Sequence, residues 1–291
     1  MGAVMAGAWR RCIAAGELCA GLVFSASAQA QDKVAFPSRD GTPLEGYLFR
    51  TSQPGPRPAL VFAHGCGGLT GKAGALNTRE TAWAADFTAS GYSVLMVDSF
   101  ATRGIRSMCS PATFNGGVYR ARSGDLYGAL AYLQAQPFVK PDAVGVIGWS
   151  QGGGAVLNAL RTDAGSRPAG LSLARDFRVA VAFYPGSCSA ERQRGQWSSH
   201  IPLLVLLGER DVWTPLAPCQ AMLADAASHG SPLQVKVYAG AYHDFDWPNR
   251  PYQELPQNRT SAGVVPIIAT DPAARADAFS RVPAFLGRYL K

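Results

Sequence analysis

The chain has 291 residues, 47% of them apolar and only 16% charged, and 27 Lys and Arg against 20 Asp and Glu give a formal charge of +7. That is enough apolar chain for one sizeable core, and no apolar run reaches the roughly 18 residues of a spanning helix, which argues against stable membrane insertion. The surplus positive charge is not gathered into a basic run interleaved with aromatics, which argues against a nucleic-acid partner.

At the N-terminus, Arg10 and Arg11 precede a largely apolar stretch from Cys12 to Phe24, and Ala28-Gln29-Ala30 makes a small-residue cleavage site. This is the layout of a secretory signal over residues 1–30. A periplasmic or secreted protein of one domain, residues 31–291, is therefore expected.

Strands are predicted at 33–36, 44–50, 59–63, 93–97, 143–147, 179–183, 203–207 and 233–238, and helices at 77–90, 121–136, 151–161, 216–229 and 272–289. The alternation after residue 58 implies βαβ units, and so an α/β fold with a mostly parallel eight-stranded sheet and helices on both faces. The first of the buried-type strands, Ala59-Leu60-Val61-Phe62-Ala63, runs into His64-Gly65-Cys66-Gly67-Gly68. A backbone N–H in such a turn, that of Cys66, can serve an oxyanion hole. His64 is expected to brace this loop. Two long connections, 99–119 and 246–270, can wall a pocket.

The strand Val144-Gly145-Val146-Ile147 leads into Gly148-Trp149-Ser150-Gln151-Gly152 and then a helical stretch. G-x-S-x-G between strand and helix puts a serine on a sharp turn, with its Oγ projecting from the sheet. The next N–H, that of Gln151, lies at a helix N-terminus, where negative charge is favoured. Ser150 is thus a candidate nucleophile. It needs a base, and the base needs an orienting carboxylate, in the chain order Ser, acid, His. The apolar strand 203–207 ends in Gly208-Glu209-Arg210-Asp211, which makes Asp211 the best acid and Glu209 its competitor. Among the histidines after Ser150, His243 follows the strand 233–238, His229 ends a helix, and His200 precedes Ile201-Pro202. His243 is the expected base. Trp149 and Trp213 flank the nucleophile and the acid, and either can line an acyl pocket or simply pack in the core. No metal-ligand cluster or phosphate-cradling loop is visible, so neither metal nor cofactor is expected.

With these pieces in place, the chain resembles the dienelactone hydrolase family of the α/β-hydrolase superfamily. The residues that carry the resemblance are His64-Gly65-Cys66-Gly67-Gly68-Leu69, Val97-Asp98-Ser99-Phe100, Gln136-Pro137-Phe138-Val139, Gly148-Trp149-Ser150-Gln151-Gly152-Gly153, Phe183-Tyr184-Pro185-Gly186, Gly208 to Pro215, and Tyr242-His243-Asp244-Phe245-Asp246. The resemblance implies the α/β-hydrolase fold, with Ser150 as nucleophile, Asp211 as acid, His243 as base, and Cys66 and Gln151 as oxyanion donors. It also implies an arginine for a substrate carboxylate, for which Arg103 and Arg106 are the candidates. The family's founding enzymes use a cysteine nucleophile and carry a Glu where Gly65 stands here, so a general serine esterase is expected rather than dienelactone specificity.

Loss of the signal would leave Cys66, Cys109, Cys188 and Cys219, an even number in an exported chain, with three pairings possible. In the implied fold the neighbouring strand ends favour Cys66–Cys109 and Cys188–Cys219. The expected function is hydrolysis of small carboxylic esters or lactones through an acyl-enzyme. The Gly-Trp-Ser-x-Gly-Gly-Gly run also resembles cutinase-like polyester hydrolases, and a non-catalytic periplasmic binding protein is the alternative from another class. The oligomeric state is left unknown.

Overall fold

Alternation along the apolar runs decides how the sheet is covered. In β3 (Arg57–Ala63), Ala59, Val61 and Ala63 join one buried cluster, while Leu60 and Phe62 join the other. The same parity splits β6 (Val179–Phe183) and β7 (Leu203–Gly208). Successive side chains of a strand point to opposite faces, so a continuous apolar run needs helices on both. The computed structural model, which describes residues 31–71 and 73–290, has that arrangement. The proposed signal, with Cys12 and Cys19, lies outside the described residues.

The remaining strands are β1 (Gln31–Pro37), β2 (Pro43–Phe49), β4 (Ser93–Asp98), β5 (Val139–Trp149) and β8 (Leu233–Tyr238). The eight strands lie in the order β1-β2-β4-β3-β5-β6-β7-β8. β1 and β2 are antiparallel to their neighbours, and β4 through β8 run parallel. Helices α2 (Gly116–Gln134), α3 (Gln151–Leu160) and α4 (Leu216–Ser228) supply side chains to one cluster, and α1 (Thr78–Ala89) and α5 (Pro272–Leu286) to the other.

Two differences from expectation bear on the site. α2 starts at Gly116 rather than 121, because the Asn115 side chain accepts the Val118 N–H (3.0 Å) and caps a helix that the Gly116-Gly117 pair disguises as a turn. The connection 246–270 is not bare loop. Gln253–Glu254 pairs with Ile267–Ile268, and Ile268 in turn pairs with His243.

The topology fixes where a site can form. From β3 the chain moves one way to β4, then back across to β5 and outward to β8, so the order reverses at β3 and β5. Loops leaving the carboxyl ends there enclose a crevice. Ala63 sits in register with Gly148, Trp149 with Phe183, and Gly208 with Tyr238. Those pairings bring the segments carrying Cys66, Ser150, Asp211 and His243 to one edge of the sheet.

Two disulfides fasten these loops, Cys66–Cys109 and Cys188–Cys219, with Cα–Cα distances of 4.9 and 4.6 Å. The pairing is the expected one. They close loops of 43 and 31 residues. Constraining the unfolded chain by loops of that size contributes about 4 kcal/mol each on the chain-entropy model. Replacing either pair by serine is therefore expected to lower the melting temperature by on the order of 10 °C, measured by calorimetry beside the oxidised protein. An unchanged transition would show that the bridge constrains nothing.

Candidate active site

Ser150 occupies a backbone conformation that side chains avoid, with φ 52° and ψ −117° between β5 and α3. The surrounding backbone holds it there. The Ser150 N–H donates to the Phe183 carbonyl (2.9 Å), and the Ser150 carbonyl accepts from Gly154 (3.0 Å) and Gly186 (2.8 Å). A Cβ on Gly148 would meet the Gly152 carbonyl oxygen, and one on Gly152 would meet the carbonyl oxygens of Ala63 and His64. Both glycines are required by close backbone approach. Gln151 opens α3, so its N–H has no partner within the helix. Among the described residues the Cys66 N–H donates to no backbone or side-chain group.

His243 Nδ1 donates to Asp211 Oδ2 at 2.6 Å, with both side chains only 1% exposed. The carboxylate is itself fixed. Its Oδ1 accepts the N–H groups of Trp213 (2.8 Å) and Thr214 (2.9 Å), and its Oδ2 accepts the Thr214 hydroxyl (2.6 Å). Burial disfavours the imidazolium, but the Asp211 carboxylate, with help from Asp244, outweighs it, and the His243 pKa rises above its ordinary 6.5. With Nδ1 committed to Asp211, Nε2 is the free nitrogen. Ser150 and His243 line the same cavity, of about 1000 Å³. Among the described residues Ser150 Oγ makes no hydrogen bond to His243. Glu209, the competing acid, instead accepts the Gly240 N–H at the surface (2.8 Å).

The turn after β3 is braced from below. His64 is fully buried, accepts the Ser99 N–H at Nε2 (3.3 Å) and donates from Nδ1 to the Gly65 carbonyl (2.7 Å). Burial and the nearby Arg122 hold its pKa well below 6.5, so it is neutral. The buried Arg122 of α2 reaches both loops. It donates to the Gln151 side chain (2.9 Å) and to the His64 carbonyl. Burial pushes this guanidinium down to about 10, so it remains a cation at neutral pH.

A model of the dienelactone hydrolase family matches residues 44–290. The chain belongs to that family. No curated protein matches it. Among solved structures it is similar to a dienelactone hydrolase-like promiscuous phosphotriesterase from metagenomic libraries, at 21% identity and TM-score 0.64 over 90% of this chain and 99% of that one. It is similar to Thermogutta terrifontis esterase 2 phosphorylated by paraoxon, at 14% identity and TM-score 0.62 over 89% and 94%. It is also similar to the dienelactone hydrolase of Anabaena variabilis, at 20% identity and TM-score 0.55 over 90% and 99%. At these identities the likeness shows the fold.

Gly65 stands where the resemblance leads one to expect a Glu. A Cβ at Gly65 would stand 3.7 Å from the Ser150 Cβ, in ordinary contact with it. Two of the expected pocket residues lie elsewhere. Trp149 is fully buried, because the pleat turns it to the α1 and α5 face, where it stacks on Phe183 and donates to Asp246 (2.8 Å). Arg103 is committed to a two-pronged pair with Asp125 (2.7 and 2.8 Å) and does not reach either cavity beside Ser150. Arg106 and Trp213 do line the cavity, and the Trp213 ring centroid is 5.0 Å from that of His243.

Besides Arg122, the sequence leaves three features of this site unannounced. Arg79 lines the cavity and donates to Asp244 (2.9 Å), Glu80 (2.6 Å) and the Tyr184 hydroxyl (3.0 Å). Arg250 stacks on Trp247 (3.6 Å to the ring centroid) and pairs with Asp244 (3.3 Å). Asp246 accepts from both Trp83 and Trp149 indoles and from Tyr184. These contacts pin the loop that carries His243 to α1 and β5.

Proposed function

We propose that this family member is a serine carboxylic-ester hydrolase that acts on small esters or lactones in the periplasm or outside the cell. The observation that carries the reading is one cavity holding a serine on a strained elbow and a histidine clamped by a buried carboxylate at 2.6 Å. In this reading His243 Nε2 takes the Ser150 proton as Oγ attacks the ester carbonyl carbon. The N–H groups of Cys66 and Gln151 hold the oxyanion, and Arg122 keeps their two loops together. The carbon–oxygen bond to the alcohol breaks, and the leaving oxygen takes the proton from His243. Water, deprotonated by the same histidine, then releases the acid and restores Ser150.

Arg106 is exposed at the cavity wall and has no ion-pair partner among the described residues, which suits it to a substrate carboxylate. Two disulfides support an oxidising compartment. Among the described residues no helix is long and apolar enough to cross a membrane.

Hydrolysis of p-nitrophenyl esters tests the reading, and its pH dependence tests the mechanism. His243 must be neutral to accept a proton, and Asp211 raises its pKa above 6.5. For a neutral ester, kcat/KM is therefore expected to rise with pH along an acid limb whose apparent pKa lies above 6.5. An acid limb below that value would mean that His243 is not the titrating base. A folded protein inert to every ester would favour a binding protein.

A further inference from the structure

Arg122 of α2 is 1% exposed and, among the described residues, pairs with no carboxylate. The carboxylates nearest in effect are already engaged. Asp125 is held by Arg103 (2.7 and 2.8 Å), and Asp98 accepts the N–H groups of Phe100 and Ala101 (both 2.9 Å). The other titratable groups that face Arg122 are Tyr119 of the same helix, Arg103, and the neutral His64. Its Nε has no acceptor. A buried cation without a counter-ion is strongly unfavourable, and an anion that forms beside it is correspondingly stabilised.

The two bonds that Arg122 does make lead to the oxyanion site. Nη1 donates to Gln151 Oε1 (2.9 Å), and Nη2 donates to the His64 carbonyl. Those are the two segments that carry the N–H groups of Gln151 and Cys66. Arg122 lines neither cavity beside Ser150, so it does not meet the substrate. As Ser150 Oγ bonds to the ester carbon, the carbonyl π pair moves onto oxygen, and a negative charge appears between those N–H groups. That charge is present in the tetrahedral intermediate and absent from the bound ester. We propose that Arg122 is the counter-ion of the oxyanion, a positioning residue that acts through Gln151 and the turn after β3. This deepens the serine-esterase reading and rests on it. Burial and two hydrogen bonds hold the guanidinium in place before the charge forms, so it favours the transition state over the ground state without reorienting.

Two variants of the full mature chain separate charge from scaffolding. Arg122→Met roughly keeps the volume and removes the cation. Arg122→Lys keeps the cation and loses the fork that joins both acceptors. Arg122→Met is expected to lower kcat for p-nitrophenyl acetate by about thirtyfold or more, with KM within about twofold. Trifluoromethyl pentyl ketone, to which Ser150 Oγ adds to give a hemiketal oxyanion, should bind this variant more weakly by a similar factor. Methyl pentyl ketone, whose carbonyl stays trigonal, should inhibit wild type and variant alike. Arg122→Lys should recover most of the kcat and most of the affinity for the fluorinated ketone. Burial lowers the pKa of that ammonium below the ordinary lysine value of about 10.4, so the lysine variant should lose activity at a lower alkaline pH than wild type. This limb keeps the test if Arg122→Met does not fold. A lysine variant as impaired as the methionine one, or a methyl ketone that weakens with the fluorinated one, would mean that Arg122 only braces the loops, and would overturn the proposal. So would an unchanged alkaline limb in the lysine variant. Each of these leaves the esterase intact, whereas a wild type that hydrolyses no ester would overturn both.

Discussion

Replacing Ser150 by Ala is expected to reduce kcat/KM for a p-nitrophenyl ester by a factor of roughly a thousand or more, since a triad without its nucleophile retains only what the oxyanion hole and binding supply. Expression and far-UV circular dichroism should be unchanged, because Oγ makes no hydrogen bond that the fold needs. Ser150→Gly separates function from strain. It should be as inactive as the alanine variant, yet melt above wild type, because glycine takes φ 52° without a Cβ penalty. The elbow stores strain of about 1–3 kcal/mol. If Ser150→Ala kept most of its activity, another residue would be the nucleophile.

Asp211→Asn is expected to cost between about a hundredfold and ten-thousandfold in kcat, with KM little changed. Asparagine is nearly isosteric, and its carbonyl oxygen can still accept the Trp213 and Thr214 N–H groups that anchor the loop. It cannot stabilise the imidazolium or enforce the Nδ1–H tautomer. Burial would then be opposed by Asp244 alone, so the acid limb of the residual activity should move to lower pH. Glu209→Gln is the control. That carboxylate caps the Gly240 N–H at the surface, so activity should be retained. A large loss in Glu209→Gln with a mild one in Asp211→Asn would invert the assignment of the acid.

The parts of the candidate site that are legible in the sequence share one property: each lies within a few residues of a strand end. Ser150 follows β5 directly, Asp211 lies three residues past β7, and His243 five past β8. Apolar runs identify such strands, and a parallel sheet aligns their ends, so adjacency in sequence becomes adjacency in space. The disulfides followed by the same logic, since all four cysteines sit in or beside loops at that edge.

The misplaced and unread residues are those whose role depends on a partner far along the chain. Arg79 and Asp244 are 165 residues apart, Trp83 and Asp246 163, and Arg122 and Gln151 29. A charged residue in a helical stretch reads as solvated unless its partner is known, and no local pattern announces that α1 and α2 turn Arg79 and Arg122 inward. The resemblance makes Arg103 a candidate for a substrate carboxylate, beside Arg106 in the same loop. Its guanidinium is instead drawn to Asp125 on α2. Trp149 shows the limit of adjacency itself. It precedes Ser150 by one residue, but the two-residue period of the strand turns it into the core beneath α1 and α5.

The measurement that tests the central claim most directly is stoichiometric labelling of the mature protein with a fluorophosphonate, read by intact mass and then by peptide mapping. Phosphylation of a serine hydroxyl needs the nucleophile, its base and the oxyanion site together. The account predicts one adduct, on Ser150, formed slowly in His243→Gln and absent in Ser150→Ala. A folded wild type that stays unlabelled, or an adduct on any other residue, would contradict it.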